Sequence, residues 1–89
     1  MGYVKIKKAS GFDLVCAENV KSVKLIAEED AAHVEVKYIG DATALTIVGS
    51  TSMVQEDVDK IIAAINKVNG INGPGIFPED LSQLATSVG

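Results

Sequence analysis

No arginine and no tryptophan occur among these 89 residues, and cysteine and histidine occur once each. Without arginine there is no planar, bidentate fork for phosphate or guanine, so any nucleic-acid contact has to be made by lysine. Cys16 has no second thiol with which to close an intramolecular disulfide, and nothing therefore points to an oxidising compartment. Aromatic residues amount to 4%, namely Tyr3, Phe12, Tyr38 and Phe77, so the core has to be built from Val, Ile, Leu and Ala. No apolar run is long enough to span a bilayer. Met1-Gly2-Tyr3 leads straight into charged residues without a signal-peptide core, which gives the expectation of a cytoplasmic protein with no membrane partner. Gly2 does not start a myristoylation signal, because position 6 is Ile rather than Ser or Thr.

What is present fits one domain with one core. The hydrophobic share of 47% is too high for disorder. A chain this short buries only about two thirds of its unfolded surface, which makes oligomerisation a natural remedy. Net charge is −4, unevenly spread: residues 1–49 carry six Lys against seven acids, and residues 50–89 two Lys against five. The first half is thus near neutral and the second acidic.

Residues 2–49 have the period of strands. Val4 and Ile6 alternate with Tyr3, Lys5 and Lys7. After the turn signal Ser10-Gly11, a second strand puts Phe12, Leu14 and Cys16 on its core face. Glu18-Asn19 turns the chain into a third strand, Val20 to Ala27, bearing Lys21 and Lys24. The acidic run 28–30 reads as a solvated loop. In the fourth strand Val34, Val36 and Tyr38 oppose His33, Glu35 and Lys37. Gly40-Asp41 is a hairpin signal, and Ala42 to Gly49 completes five strands, which close most economically as a small bent barrel.

The period then changes to 3.6. Val54, Val58, Ile61, Ile62, Ile65 and Val68 form one stripe, predicting a helix over about 53–69 that lies across an open end of the barrel. Ser52 and Gln55 have capping-box spacing, Glu56 and Asp57 suit the helix N-terminus, and Lys67 and Gly70 suit its end. In the tail, 70–89, Pro78-Glu79-Asp80 can start a short helical turn through Leu84. Ile76, Phe77, Leu81, Leu84 and Val88 give it apolar surface to dock on its own barrel or on a neighbouring subunit.

No residue pattern supports catalysis. A Cys16–His33 dyad has no signature around it, and a structural thiol and a surface histidine account for the pair. Glu28, Glu29, Asp30 and His33 lack the oxygen spacing of a calcium loop, so no metal or other cofactor is expected. Gly49-Ser50-Thr51-Ser52 stands where a phosphate loop would but lacks the lysine and the second glycine, and reads as hydroxyl capping. The informative feature is lysine on strands: Lys5 and Lys7 share a face with Tyr3, and Lys37 adjoins Tyr38. Basic sheet faces with aromatics hold single strands by backbone attraction and base stacking. In an acidic monomer with so few aromatics, outward lysines that keep strand edges soluble are the favoured account, and only a ring, by repeating the patch, shifts the balance.

The opening Met1–Lys8, the five short strands, Asn19-Val20 after the second of them, and the helical Val58-Asp59-Lys60-Ile61-Ile62-Ala63-Ala64-Ile65-Asn66 resemble a family of small, Sm-like marine cyanophage proteins. The resemblance covers nearly the whole length. It implies an SH3-type five-stranded barrel with a C-terminal helix, paired through strand edges into a homo-oligomeric ring of about five to seven subunits. It further implies binding of RNA or single-stranded DNA in nucleic-acid processing, in the cytoplasm of an infected bacterium. The contacts expected are Lys5, Lys7, Lys21, Lys24 and Lys37, with Asn19, Tyr38 and Gly40 near the pore. Two departures stand out: the helix follows the strands instead of preceding them, and neither Ile39-Gly40 nor Val48-Gly49 has the arginine of the Sm-type pocket. A structural or assembly protein is the alternative that the acidic charge and the apolar tail also fit.

Overall fold

The alternating segments form strands, the 3.6-residue stripe forms a helix, and one strand appears that no alternation announces. A computed structural model describes residues 2–27, 31–70 and 75–89. Along the chain run β1 (Tyr3–Lys8), β2 (Gly11–Cys16), β3 (Val20–Ile26), β4 (His33–Tyr38), β5 (Leu45–Gly49), α1 (Gln55–Asn69) and β6 (Ala85–Val88). The mainly-β reading therefore stands, but the five-stranded closed barrel does not. The strands form a single six-stranded sheet in the order β2-β1-β6-β5-β4-β3, antiparallel except between β1 and β6. The fifth strand begins at Leu45 rather than Ala42, because Asp41 Oδ1 accepts the Thr43 N–H (3.0 Å) and holds that stretch in a turn.

The sheet does not close: its two edge strands, β2 and β3, are joined by only three residues but do not pair with each other among the described residues, and α1 packs against both β1 and β3. The two edges converge at the link itself. The Tyr38 hydroxyl donates to the Cys16 carbonyl (2.7 Å), and the Ala17 N–H to the Gly2 carbonyl (3.0 Å). The Asn69 side chain, from the last residue of α1, donates to the Ala17 carbonyl (3.0 Å). Gly2 is required here, since any side chain would run into Val68 of the helix.

One face of the sheet carries Val4, Ile6, Val15, Val34, Val36 and Ile47, and α1 lays Val58, Ile61, Ala64, Ile65 and Val68 over it. Each of these Val and Ile side chains contributes about 1.5–3 kcal/mol of burial free energy. The helix stripe is as expected except at Val54 and Ile62, which are exposed. The face assigned to β2 is reversed: Val15 is fully buried, while Phe12 and Leu14 are 48% and 52% exposed.

Helix capping differs too. The N-cap is Val54, and the Asp57 carboxylate reaches back to accept the Val54 N–H (3.1 Å). Ser52 instead accepts the Ala32 N–H (3.0 Å). Beyond α1, residues 71–74 of the predicted loop and the acidic run 28–30 lie outside the described residues. The tail docks on its own sheet, though not as a helical turn. Ile76 bridges to Val4, with the Lys5 N–H donating to the Ile76 carbonyl (2.7 Å), and Ala85–Val88 enters as β6. Between them the chain bends at Asp80, whose φ of 44° is incompatible with a helix.

Candidate nucleic-acid interface

The hairpin register decides what surrounds the first two lysines. β1 and β2 pair so that Lys5 faces Leu14 and Lys7 faces Phe12 across the strands, all on the side of the sheet away from α1. Phe77 comes in from the tail and meets Phe12 edge to face, with ring centroids 5.6 Å apart and planes at 85°. Lys5 Nζ lies 5.1 Å from the Phe12 centroid and 5.5 Å from that of Phe77, and Lys7 Nζ lies 5.2 Å from Phe77. Cation–π contact holds the ammonium groups over ring faces without neutralising them. A cavity of about 310 Å³ adjoins this platform, bounded by both lysines, Phe77, Pro78 and Leu84, with Asp80 its one carboxylate.

The other expected contacts fall elsewhere. Lys37 pairs with Glu35 (3.6 Å), and Lys24 stands opposite Glu35 in the β3–β4 register. Lys21 is exposed at a bulge in β3 between Val20 and Ser22. Asn19, Tyr38 and Gly40 do come together at one end of the sheet, since the Ile39 N–H donates to the Asn19 carbonyl (2.8 Å) and Val20 pairs with Tyr38. Both turns use left-handed backbone there, with φ of 60° at Asn19 and 81° at Gly40. Tyr38 is half-buried. Its ring packs on the core, and burial, followed by the nearby Cys16 charge, pushes its phenol up to about 12.

No family model, curated protein or solved structure matches this chain. The site's own chemistry carries the functional argument.

Cys16 and His33 are not brought together. Tyr38, at one end of β4, is the residue that reaches Cys16, and His33 is at the other end, five residue steps or about 17 Å along the strand. Among the described residues no group of three or more His, Cys, Asp or Glu could hold a metal ion. Glu28, Glu29 and Asp30 lie outside them. The Gly49–Ser52 stretch is bracketed by Gln83, whose Oε1 accepts the Thr51 N–H (3.1 Å) and whose Nε2 donates to the Thr51 and Ser52 carbonyls (2.9 and 3.2 Å). A phosphate would have to displace that side chain. Among the described residues no helix is long and apolar enough to cross a membrane.

Sequence reasoning missed Phe12, assigned to the core, and Phe77, left in the tail. For Phe12 a signal existed. A tight turn at Ala9-Ser10 forces Lys8 to pair with Gly11, and Phe12 must then share the face of Lys7. For Phe77 there was none, because its position depends on tail contacts remote in sequence.

Proposed function

We propose that this chain is a single-stranded nucleic-acid-binding module whose contact surface is the outer face of β1 and β2. The observation that carries the reading is the interleaving of Lys5 and Lys7 with the exposed rings of Phe12 and Phe77. Rings supply stacking for unpaired bases of any sequence, and ammonium groups supply phosphate attraction. Lys21, Lys24, Lys37, Asn19 and Gly40 are secondary contacts in this reading, and Lys37 contributes least because it pairs with Glu35. In line with the Sm-like resemblance, the module works as a homo-oligomeric ring in RNA or DNA processing. Its support is that β2 and β3 each have one edge without a strand partner among the described residues. A ring repeats a weak patch around one surface and multiplies its avidity.

The test is a titration of labelled short single-stranded RNA and DNA at several salt concentrations. The Lys5→Gln/Lys7→Gln double variant should bind more weakly and flatten the logarithmic salt slope by about 1.4, two lysines at about 0.7 each. Unchanged affinity after neutralising Lys5, Lys7, Lys21, Lys24 and Lys37 together would refute the proposal.

One observation favours a second reading, that of an assembly component. Phe12, Leu14, Phe77 and Leu84 are each 39–52% exposed near an unpaired strand edge, which is costly unless something covers them. Light scattering after size exclusion separates the two: a discrete oligomer that excludes the labelled strand supports assembly alone.

A further inference from the structure

We infer that the platform prefers a strand carrying guanine, whose base enters the cavity beside Phe77 with Asp80 reading its Watson–Crick edge. The inference rests on the proposed single-strand function and names the base that the site selects. Stacking on an aromatic ring is blind to sequence, so a preference has to come from the polar side chains of the cavity. Four of them line it: Lys5, Lys7, Asp80 and Gln83. Gln83 is already committed, because its Oε1 accepts the Thr51 N–H and its Nε2 donates to the Thr51 and Ser52 carbonyls. The choice of base therefore falls to two cations and one carboxylate.

Among the described residues the Asp80 carboxylate has no hydrogen-bond or ion-pair partner, although both lysines border the same cavity. Its backbone is nevertheless fixed. A φ of 44° is costly for a residue other than glycine and persists only where the surroundings enforce it, as they do at ligand clamps. Here Lys60 holds the Asp80 carbonyl, and two residues on Ser82 is bound to Asp57. An ionised carboxylate only accepts hydrogen bonds, through two oxygens side by side. Guanine is the one base with two adjacent donors on its Watson–Crick edge, N1–H and the N2 amine, and meets the carboxylate in a bidentate, charge-assisted pair. Cytosine and adenine present one exocyclic amine next to a ring nitrogen whose lone pair the carboxylate repels. Uracil and thymine present a single N–H between two carbonyls. The lysines argue for the same base, since guanine O6 and N7 are acceptors for an ammonium group. At about 310 Å³ the cavity is at the small end of ligand pockets, which suits a single base.

The experiment is a fluorescence-anisotropy titration of the chain with labelled hexathymidine and with the same strand carrying one internal guanine, inosine, adenine or cytosine. Guanine should bind about tenfold more tightly than thymine, the discrimination of one bidentate contact. Adenine stacks as a purine but lacks the paired donors, and should stay close to hexathymidine. Inosine keeps N1–H without the N2 amine and should fall between the two. Asp80→Gly accepts the left-handed backbone, so it should fold, erase the guanine preference and tighten hexathymidine, which no longer meets a repelling charge. Asp80→Asn also tolerates that backbone and keeps one acceptor oxygen, so it should lose the preference in part. Lys5→Gln/Lys7→Gln should weaken every strand, which separates loss of binding from loss of selection. Equal affinity for all five strands, or a guanine preference that Asp80→Gly leaves intact, overturns the guanine inference while the single-strand reading stands. Absence of binding by every strand overturns both.

Discussion

Asp57 has no exposed surface and yet bears a charge, and three hydrogen bonds compensate it. The Ser82 hydroxyl (2.6 Å), the Ser82 N–H (2.7 Å) and the Val54 N–H (3.1 Å) all donate to its carboxylate. Burial by itself would raise the carboxyl pKa, but these bonds and the Lys60 charge outweigh it and hold it below the ordinary value. One side chain thereby starts the helix and pins the tail. Lys60 adds a bond to the Asp80 carbonyl, so the stretch from Phe77 to Leu84 that completes the lysine platform is fastened to α1 at two points. Asp57→Ala leaves the Ser82 and Val54 donors unsatisfied and should cost roughly 2–4 kcal/mol in urea unfolding. A depressed folded pKa stabilises the chain at pH values above the unfolded carboxyl, about 3.9. That contribution is lost as pH falls through the lower folded value, so the pH dependence of stability below about 4 should shrink in the variant.

At the scale of elements, β2 is where local pattern and global fold disagree. Its sequence offers two faces, Phe12-Leu14-Cys16 and Asp13-Val15, and hydrophobicity alone chooses the first. The fold chooses the second, because the tight β1–β2 turn fixes register, and register places Val15 beside Val4 on the helix side. The consequence is measurable. Val15→Ala should destabilise by about 1–3 kcal/mol, whereas Phe12→Ser should stay within about 1 kcal/mol while weakening oligonucleotide binding. β1, β4 and α1 were legible, since their alternation or stripe matches the buried set at Val4, Ile6, Val34, Val36, Val58, Ile61, Ile65 and Val68. The helix boundary was less so, because Ser52 has the right spacing for a cap but is drawn to Ala32. Of the candidate site, the lysines could be read from the sequence and Phe12 could have been placed from the turn, whereas Phe77 could not.

On the scale of the whole molecule, β6 is the piece that makes one sheet out of two. β2-β1 lies on one side of it and β5-β4-β3 on the other, and neither half touches the other through strand pairing among the described residues. Ala-Thr-Ser-Val has no periodicity worth the name, and its place is set entirely by partners 36–77 positions earlier in the chain. That is why five strands were expected and six found. Substituting Ser87, which pairs with Val48, by proline should therefore do more than fray an end, since proline cannot keep a central strand's ladder hydrogen bonds. The expected result is loss of a single cooperative thermal transition by circular dichroism, whereas proline at exposed Glu79 should leave it in place. The same topology bears on synthesis. The central strand is translated after the other five, so a ribosome-bound chain holds two unfinished half-sheets with open edges until residues 85–88 emerge, and the order of manufacture leaves the keystone for last.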